Sequence, residues 1–169
     1  MITAIIETRD SEVALAQALT RLVPAATEGV LQDVVVVDRG SVDGTLAVAD
    51  AAGCTIIEAE KLAGDVLRRA AEAARGDWLL FLSPDAVLAA GWQDAAMAFI
   101  DRALLAGRAP SSVAILYRGA MVTGWRARLL ALGFVVDGRL IAKAAYLAAS
   151  PSASPSAASL ASGARRGAA

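Results

Sequence analysis

The sequence contains no histidine. That removes histidine-based catalytic triads and histidine-bearing zinc sites, and leaves aspartate and glutamate as the acid–base groups. Cysteine occurs once, at Cys54. An internal disulfide is therefore impossible, and a reducing cytoplasm is the expected compartment. A basic surplus is also missing, since 16 Lys and Arg stand against 17 Asp and Glu for a formal net charge of −1. A general nucleic-acid binder would carry the opposite balance. Long apolar runs are lacking too, although hydrophobic residues make up 57% of the 169 positions. Alanine supplies much of that fraction, and the longest strongly apolar runs, such as Leu129 to Val136, fall far short of the roughly 20 residues that span a bilayer. No transmembrane helix is expected. The opening MITAIIETRD has no basic n-region and carries Glu7 inside its apolar run, so it reads as a strand and not as a signal peptide. No G-x-G-x-x-G follows that strand, which weakens a dinucleotide-binding reading. What these absences leave is carboxylate chemistry in one domain, long enough to bury a core.

What is present is organised around Val34 to Thr45, written VVVVDRGSVDGT. Four consecutive valines show no period-2 alternation, the habit of a strand buried on both faces in a parallel sheet. The apolar run stops at Asp38, and Gly40, Ser41, Asp43 and Gly44 then suit a tight turn and a helix N-cap. In an open parallel α/β sheet, ligands bind beyond the carboxyl ends of the strands. Asp38 stands at that position.

Around this strand the chain alternates. Ile2 to Thr8 reads as the first strand, and Ser11-Glu12 opens a helix to about Val23, with Val13, Ala16, Leu19 and Leu22 as its apolar stripe and Pro24 as its stop. A helix from Thr45 to about Ala52 ends on Gly53, Cys54 to Glu58 is a third strand, and Glu60 to Arg75 is a loop and helix capped by Gly76. Trp78 to Leu82 is a fourth strand. Trp92 to about Ala106 is a helix with Trp92, Ala96, Phe99, Ile100 and Leu104 inward, its aromatics serving the core. Ser111 to Tyr117 reads as a strand and Trp125 to Leu132 as a helix. This βαβαβ rhythm predicts an α/β fold with a doubly wound, mostly parallel sheet over residues 1–149. Residues 150–169 are Ser, Ala, Pro and Gly with little else, a tail expected to be disordered.

Two segments carry a family resemblance. VVVVDRGSVDGT resembles the VVDDGSTDGT segment of the family 2 glycosyltransferases, and ARGDWLLFLSPDAVLAAGW (Ala74 to Trp92) is similar to the segment that ends in their metal-binding Asp-x-Asp. The resemblance covers the first half to two-thirds of the chain and fades after about Gly107. It implies the GT-A fold and transfer of a sugar from a nucleotide diphosphate-sugar to an acceptor hydroxyl, metal-assisted and inverting. Asp38 then matches the aspartate that binds the nucleotide base or ribose. Asp85 matches the direct ligand of Mg²⁺ or Mn²⁺, while Ser83 stands in place of the first Asp of that motif. Arg39 stands in place of the second Asp of the first segment. Relatives end their first strand I-I-P-T with an Asn-Glu nearby; here Thr8 is kept, Asp10 stands near the Asn, and Glu7 takes the place of the proline. In relatives this strand end lines the nucleotide pocket.

The resemblance also implies a basic residue near the donor, for which Lys61 and Arg68 are candidates beside Arg69. VVDGRLIAKAAYLA (Val135 to Ala148) looks like a worn acceptor segment, in which Asp137 would be the general base and Lys143 one of the arginines. Each position keeps a plainer reading: turn and N-cap duty for Thr8 and Asp10, a cap of the Ala86–Leu88 turn for Asp85, a solvated helix face for the basic residues and a hairpin turn for Asp137-Gly138. The departures at Arg39 and Ser83 also keep open a degenerate GT-A domain that binds a nucleotide or a protein partner without turnover. The acceptor is unknown, possible classes being lipid-linked or polysaccharide, and a membrane-peripheral location stays open beside the cytoplasmic one.

Overall fold

The four apolar runs of the first half become parallel strands of one sheet. The computed structural model describes residues 1–59, 66–88, 90–107, 113–117, 120–123 and 138–148. Strands β1 (Ile2–Thr8), β2 (Leu31–Asp38), β3 (Thr55–Glu58) and β4 (Trp78–Leu82) alternate with helices α1 (Glu12–Thr27), α2 (Thr45–Ala51) and α3 (Val66–Ala73). After α4 (Trp92–Leu105) come β5 (Val113–Tyr117), β6 (Ala120–Thr123), β7 (Arg139–Ala142) and α5 (Lys143–Ala148). The sheet order is β3-β2-β1-β4-β7-β5-β6. Pairs β3–β2, β2–β1 and β1–β4 are parallel, and β4–β7, β7–β5 and β5–β6 are antiparallel. β5 therefore points the same way as β4, and only β6 and β7 run against the rest. The expected Trp125 to Leu132 helix and the 150–169 tail lie outside the described residues.

The unbroken apolar runs arise because both faces of the sheet are covered. On one face Ile2, Ala4, Ile6, Val36, Leu80 and Leu82 pack under α1 and α4; on the other Ile5, Val35, Val37, Leu79 and Phe81 pack under α3. Burying each of the Val, Leu, Ile and Phe side chains contributes about 1.5–3 kcal/mol. Trp92 and Phe99 are buried, and Phe99 meets Trp78 edge-on with centroids 5.8 Å apart, so these rings belong to the core.

Four local expectations are corrected. The buried stripe of α1 is Leu15, Ala18, Leu22 and Ala25, and Val13 is 69% exposed. The expected stripe advanced by threes, and at 3.6 residues per turn each such step rotates about 60° away from the last, so Val13 and Leu22 end on opposite sides. Pro24 lies inside α1 and does not stop it. Ala25 is wholly buried one residue later, and the extra turn closes where Glu28 and Gly29 donate backbone hydrogen bonds to the Pro24 and Ala26 carbonyls. In α4 it is Ala103, not Leu104, that faces inward; Leu104 is 57% exposed at the margin of the stripe.

Gly76 is the fourth correction, because α3 ends at Ala73 and the glycine serves β1 instead. A Cβ at Gly76 would stand 2.8 Å from the backbone of Met1, Ile2 and Thr3. Its N–H donates to the buried Thr3 hydroxyl at 2.8 Å, Thr3 donates to Asp33, and Arg75 N–H donates to the other oxygen of Asp33 at 3.1 Å. This network ties β1, β2 and the approach to β4 together at the amino edge of the sheet. Gly76→Ala must push backbone apart and is expected to cost about 2–3 kcal/mol. Thermal unfolding should show this as a drop of roughly 5–10 °C. An unchanged melting temperature would mean that the strands can separate without cost.

Candidate functional site at the carboxyl edge

The site is set by register. Thr8, Asp38 and Glu58 end β1, β2 and β3 level with one another, and Leu82 at the end of β4 pairs with Ile6. Ser83, Pro84 and Asp85 therefore leave the sheet beside Glu7 and Thr8. With neighbouring strands about 4.8 Å apart, the ends of β2 and β4 lie about 10 Å apart across β1. Thr8, Asp38, Arg39, Ser83 and Asp85 thus share one edge.

Asp38 builds the turn it opens. It is 1% exposed, and its Oδ2 accepts the N–H groups of Gly40 and Ser41, both at 2.9 Å. Its Oδ1 accepts the Ser41 hydroxyl. The Thr8 hydroxyl, itself buried, sits 3.5 Å from Oδ1, too long for a good hydrogen bond. Gly40 turns the chain with φ +84°, a conformation that glycine adopts without strain.

The loops after β1 and β2 interlock. Asp10 has φ 46°, which among non-glycine residues aspartate tolerates best with asparagine, and its Oδ1 accepts Val42 N–H at 2.8 Å. Its own N–H donates to Ser41 Oγ at 2.9 Å. Ser11 N–H donates to Thr45 Oγ1 at 2.8 Å, Glu12 N–H to Asp43 at 3.1 Å, and Gly44 N–H back to Glu12 at 3.1 Å. The two helix entries therefore cap each other. The Thr45 hydroxyl holds the Asp43 carboxyl below the usual carboxylate range. Asp10 and Asp43 work here in the loop framework.

Two departures from the family pattern meet. Arg39 Nε donates to Glu7 Oε1 at 2.7 Å, both side chains half-buried at 31% exposure. The pair contributes only about 1 kcal/mol at that exposure, but it fixes the Arg39 guanidinium at the site's rim. Parallel pairing of β1 and β2 in register is the signal that would have joined these two positions in the sequence.

On the β4 side the Ser83 hydroxyl donates to Asp85 Oδ1 at 2.6 Å, which holds the exposed Asp85 carboxyl below its ordinary range. Among the described residues no three acidic or cysteine side chains group as a metal cage. Asp85 still suits a hard cation such as Mg²⁺, which takes one or two carboxylates and completes its shell with substrate phosphates and water. A depressed pKa means that Asp85 keeps its charge until the pH falls through that lowered value. No side chain of this histidine-free chain has an ordinary pKa between pH 5 and 8, and burial pushes the Cys54 thiol up. Metal-supported binding of an intact nucleotide diphosphate-sugar should thus stay flat from about pH 8 to 5 and fall below about pH 4. Calorimetric titrations across that range would check this; a tenfold loss between pH 8 and 6 would point to a different ligand.

Other expected residues lie elsewhere. Arg68 Nη1 donates to the Leu147 carbonyl at 2.9 Å and its Nε pairs with Glu72 at 3.2 Å, so it ties α3 to α5. Lys143 sits at the amino edge, opposite the site, because Ala142 pairs with Trp78 at the start of β4. Its Nζ donates to the Glu72 and Ala74 carbonyls at 3.2 and 2.7 Å and caps α3, which corrects its assignment to an acceptor segment. Lys61 and Asp137 lie outside the described residues. Gly138 does not: it has φ +78° and donates to the Phe81 carbonyl at 2.9 Å, beside the end of β4. An open depression of about 440 Å³ between α1 and α2 takes in Glu12 but none of the edge residues Thr8, Asp38 and Asp85. One residue at this edge was not anticipated: Arg139, the lone charge in the short strand RLIA. No described helix is long and apolar enough to cross a membrane.

Solved structures share this architecture. The chain aligns with Staphylococcus aureus TarS at 22% identity and a TM-score of 0.60, covering 85% of this chain and 28% of that one. It aligns with Mycobacterium tuberculosis glucosyl-3-phosphoglycerate synthase in complex with UDP at 20% identity and 0.56, covering 85% and 57%. With TarS 1-349 in complex with UDP-GlcNAc the values are 20% and 0.55, covering 85% and 45%. The chain therefore spans between about a quarter and three-fifths of these neighbours' lengths, and the likeness identifies a GT-A fold. No curated protein matches the sequence. The family model described as glycosyl transferase family 2 matches residues 3–118, from β1 through β5, beyond the Gly107 limit of the visible resemblance. The chain belongs to glycosyl transferase family 2.

Proposed function

We propose that the chain transfers a sugar from a nucleotide diphosphate-sugar to an acceptor hydroxyl. The observation that carries this reading is the meeting of both family segments at one sheet edge, with Asp38 ending β2 and Ser83 to Asp85 following β4. Neighbours bind UDP or UDP-GlcNAc, which supports a nucleotide-sugar donor. Thr8, Asp10 and Asp38 would form the nucleoside side of the pocket. Asp38 has two of its roughly four lone-pair directions filled by backbone and one by Ser41, so one remains for a ligand. Arg39 offers its terminal N–H groups at the rim, Ser83 can hydrogen-bond a phosphate or ribose, and Lys61 and Arg68 stay the basic candidates that the family resemblance implies, Arg68 being engaged between α3 and α5. Asp85 would hold Mg²⁺ or Mn²⁺ against the diphosphate. When bound, the cation offsets charge on the leaving group.

Inverting displacement requires a base on the far side of the sugar from the diphosphate. Asp137 would supply that base, a role that rests on the resemblance of Val135 to Ala148 to an acceptor segment. Donor hydrolysis that needs Mn²⁺ and disappears in Asp85→Ala supports the transferase.

A second reading has its own support. The carboxylates of Asp38 and Asp10 serve their turns, and Ser83 brings no charge to the metal motif. A degenerate domain that binds a nucleotide or partner would give nucleotide binding with neither hydrolysis nor transfer. Release of pyrophosphate from NTP and a sugar phosphate would instead indicate a nucleotidyltransferase.

A further inference from the structure

We propose that Arg139 anchors an oxyanion pocket that seats a phosphate at the carboxyl edge of β4, beside the donor site. Arg139 opens β7 directly opposite Phe81. Its guanidinium carbon lies 5.1 Å from the Phe81 ring centroid and 5.5 Å from that of Tyr146. The rings pack on each other with centroids 5.0 Å apart, and the guanidinium lies against both by cation–π attraction. They offer no anion. Nε is buried without a hydrogen-bond partner, and among the described residues no carboxylate lies within ion-pair distance of Arg139. Burial also lowers its pKa, although a guanidinium stays charged at neutral pH.

A half-buried guanidinium with no counter-charge among the described residues is costly, and an apolar side chain of similar length would pack as well against Phe81 and Tyr146. The position therefore fits a ligand better than it fits the fold. A guanidinium presents planar donors that match a phosphate in bidentate fashion. On β4 the next residue on the Phe81 face is Ser83, which places this fork on the side of the metal motif. Only the choice of phosphate as the ligand rests on reading this edge as the donor site.

The test uses the full chain with inorganic phosphate, against chloride at matched ionic strength, followed by melting and calorimetry. Wild type is expected to melt higher in phosphate. Arg139→Met should bind phosphate about tenfold or more weakly, and its ligand-free melting temperature should equal or exceed that of wild type because the uncompensated cation is gone. Arg139→Lys, which keeps charge without the fork, should fall between. If Arg139→Met fails to fold, Arg139→Lys decides, and an unchanged phosphate affinity in it overturns the proposal. A wild type indifferent to phosphate also overturns it, as does a destabilised Arg139→Met that still binds phosphate normally. Saturating UDP separates the sources. A phosphate response that persists assigns the pocket to an acceptor's phosphate; one that UDP abolishes assigns it to the donor's diphosphate, and either supports the pocket. UDP binding without a phosphate response would sink this pocket and leave the donor site standing. A phosphate response lost in Arg139→Met, without UDP binding, would do the reverse.

Discussion

Asp85→Ala is expected to lower metal-supported donor turnover about a thousandfold or more, roughly 4 kcal/mol of transition-state stabilisation. Its melting temperature should stay within about 2 °C of wild type, since exposed side chains outside caps and cores rarely matter to stability. The contrast follows from the position of Asp85. It is exposed, and its described side-chain hydrogen bond is to Ser83 two residues away, so the fold does not lean on it. Asp85→Asn keeps an oxygen for the Ser83 hydroxyl but loses the charge, and should lose turnover as fully. Steady-state hydrolysis of a UDP-sugar with Mn²⁺ would check both variants. Turnover retained by Asp85→Ala would remove the metal from this loop.

Asp38→Ala should do the opposite, damaging the fold first. Three hydrogen bonds converge on one buried carboxylate, and truncation strands the Gly40 and Ser41 N–H groups. The expected cost is about 3 kcal/mol, or roughly 6–12 °C in melting temperature for a domain of this size. Nucleotide binding should fall with it, because the same turn holds Asp10 and Ser41 together. Asp38→Asn separates shape from charge. Its amide oxygen can accept both N–H groups while its NH₂ meets Ser41 Oγ, so most stability should return. Thermal melts of the two variants decide this; an Asp38→Asn as unstable as Asp38→Ala would show that charge, not turn geometry, holds the loop.

The sheet was legible because burial on both faces writes itself as unbroken apolar runs, and VVVV and WLLFL could hardly be anything else. Helix faces were less so. In an alanine-rich chain the apolar stripe has several phases, and only packing selects Leu15 and Ala18 over Val13 and Ala16 in α1. Gly76 looked like a cap because its role, room for the β1 backbone, is a contact 73 residues distant in sequence. The site divides the same way. Asp38 and Asp85 were found through local motifs, whereas the Glu7–Arg39 pair and the contact of Arg139 with Phe81 are cross-strand contacts between elements far apart in the chain. Lys143 shows the converse error, since a motif-like spacing near Asp137 does not carry it past β7 to the same edge.

Calorimetric titration of UDP into the full chain, with and without Mn²⁺, in wild type and Asp85→Ala, tests the donor site most directly. Binding by wild type that tightens at least tenfold with Mn²⁺, and an Asp85→Ala protein that no longer responds to the metal, is the expected result. Absence of binding, or binding equally strong without Mn²⁺ and in Asp85→Ala, would contradict a donor site assembled from the Asp38 turn and the β4 loop.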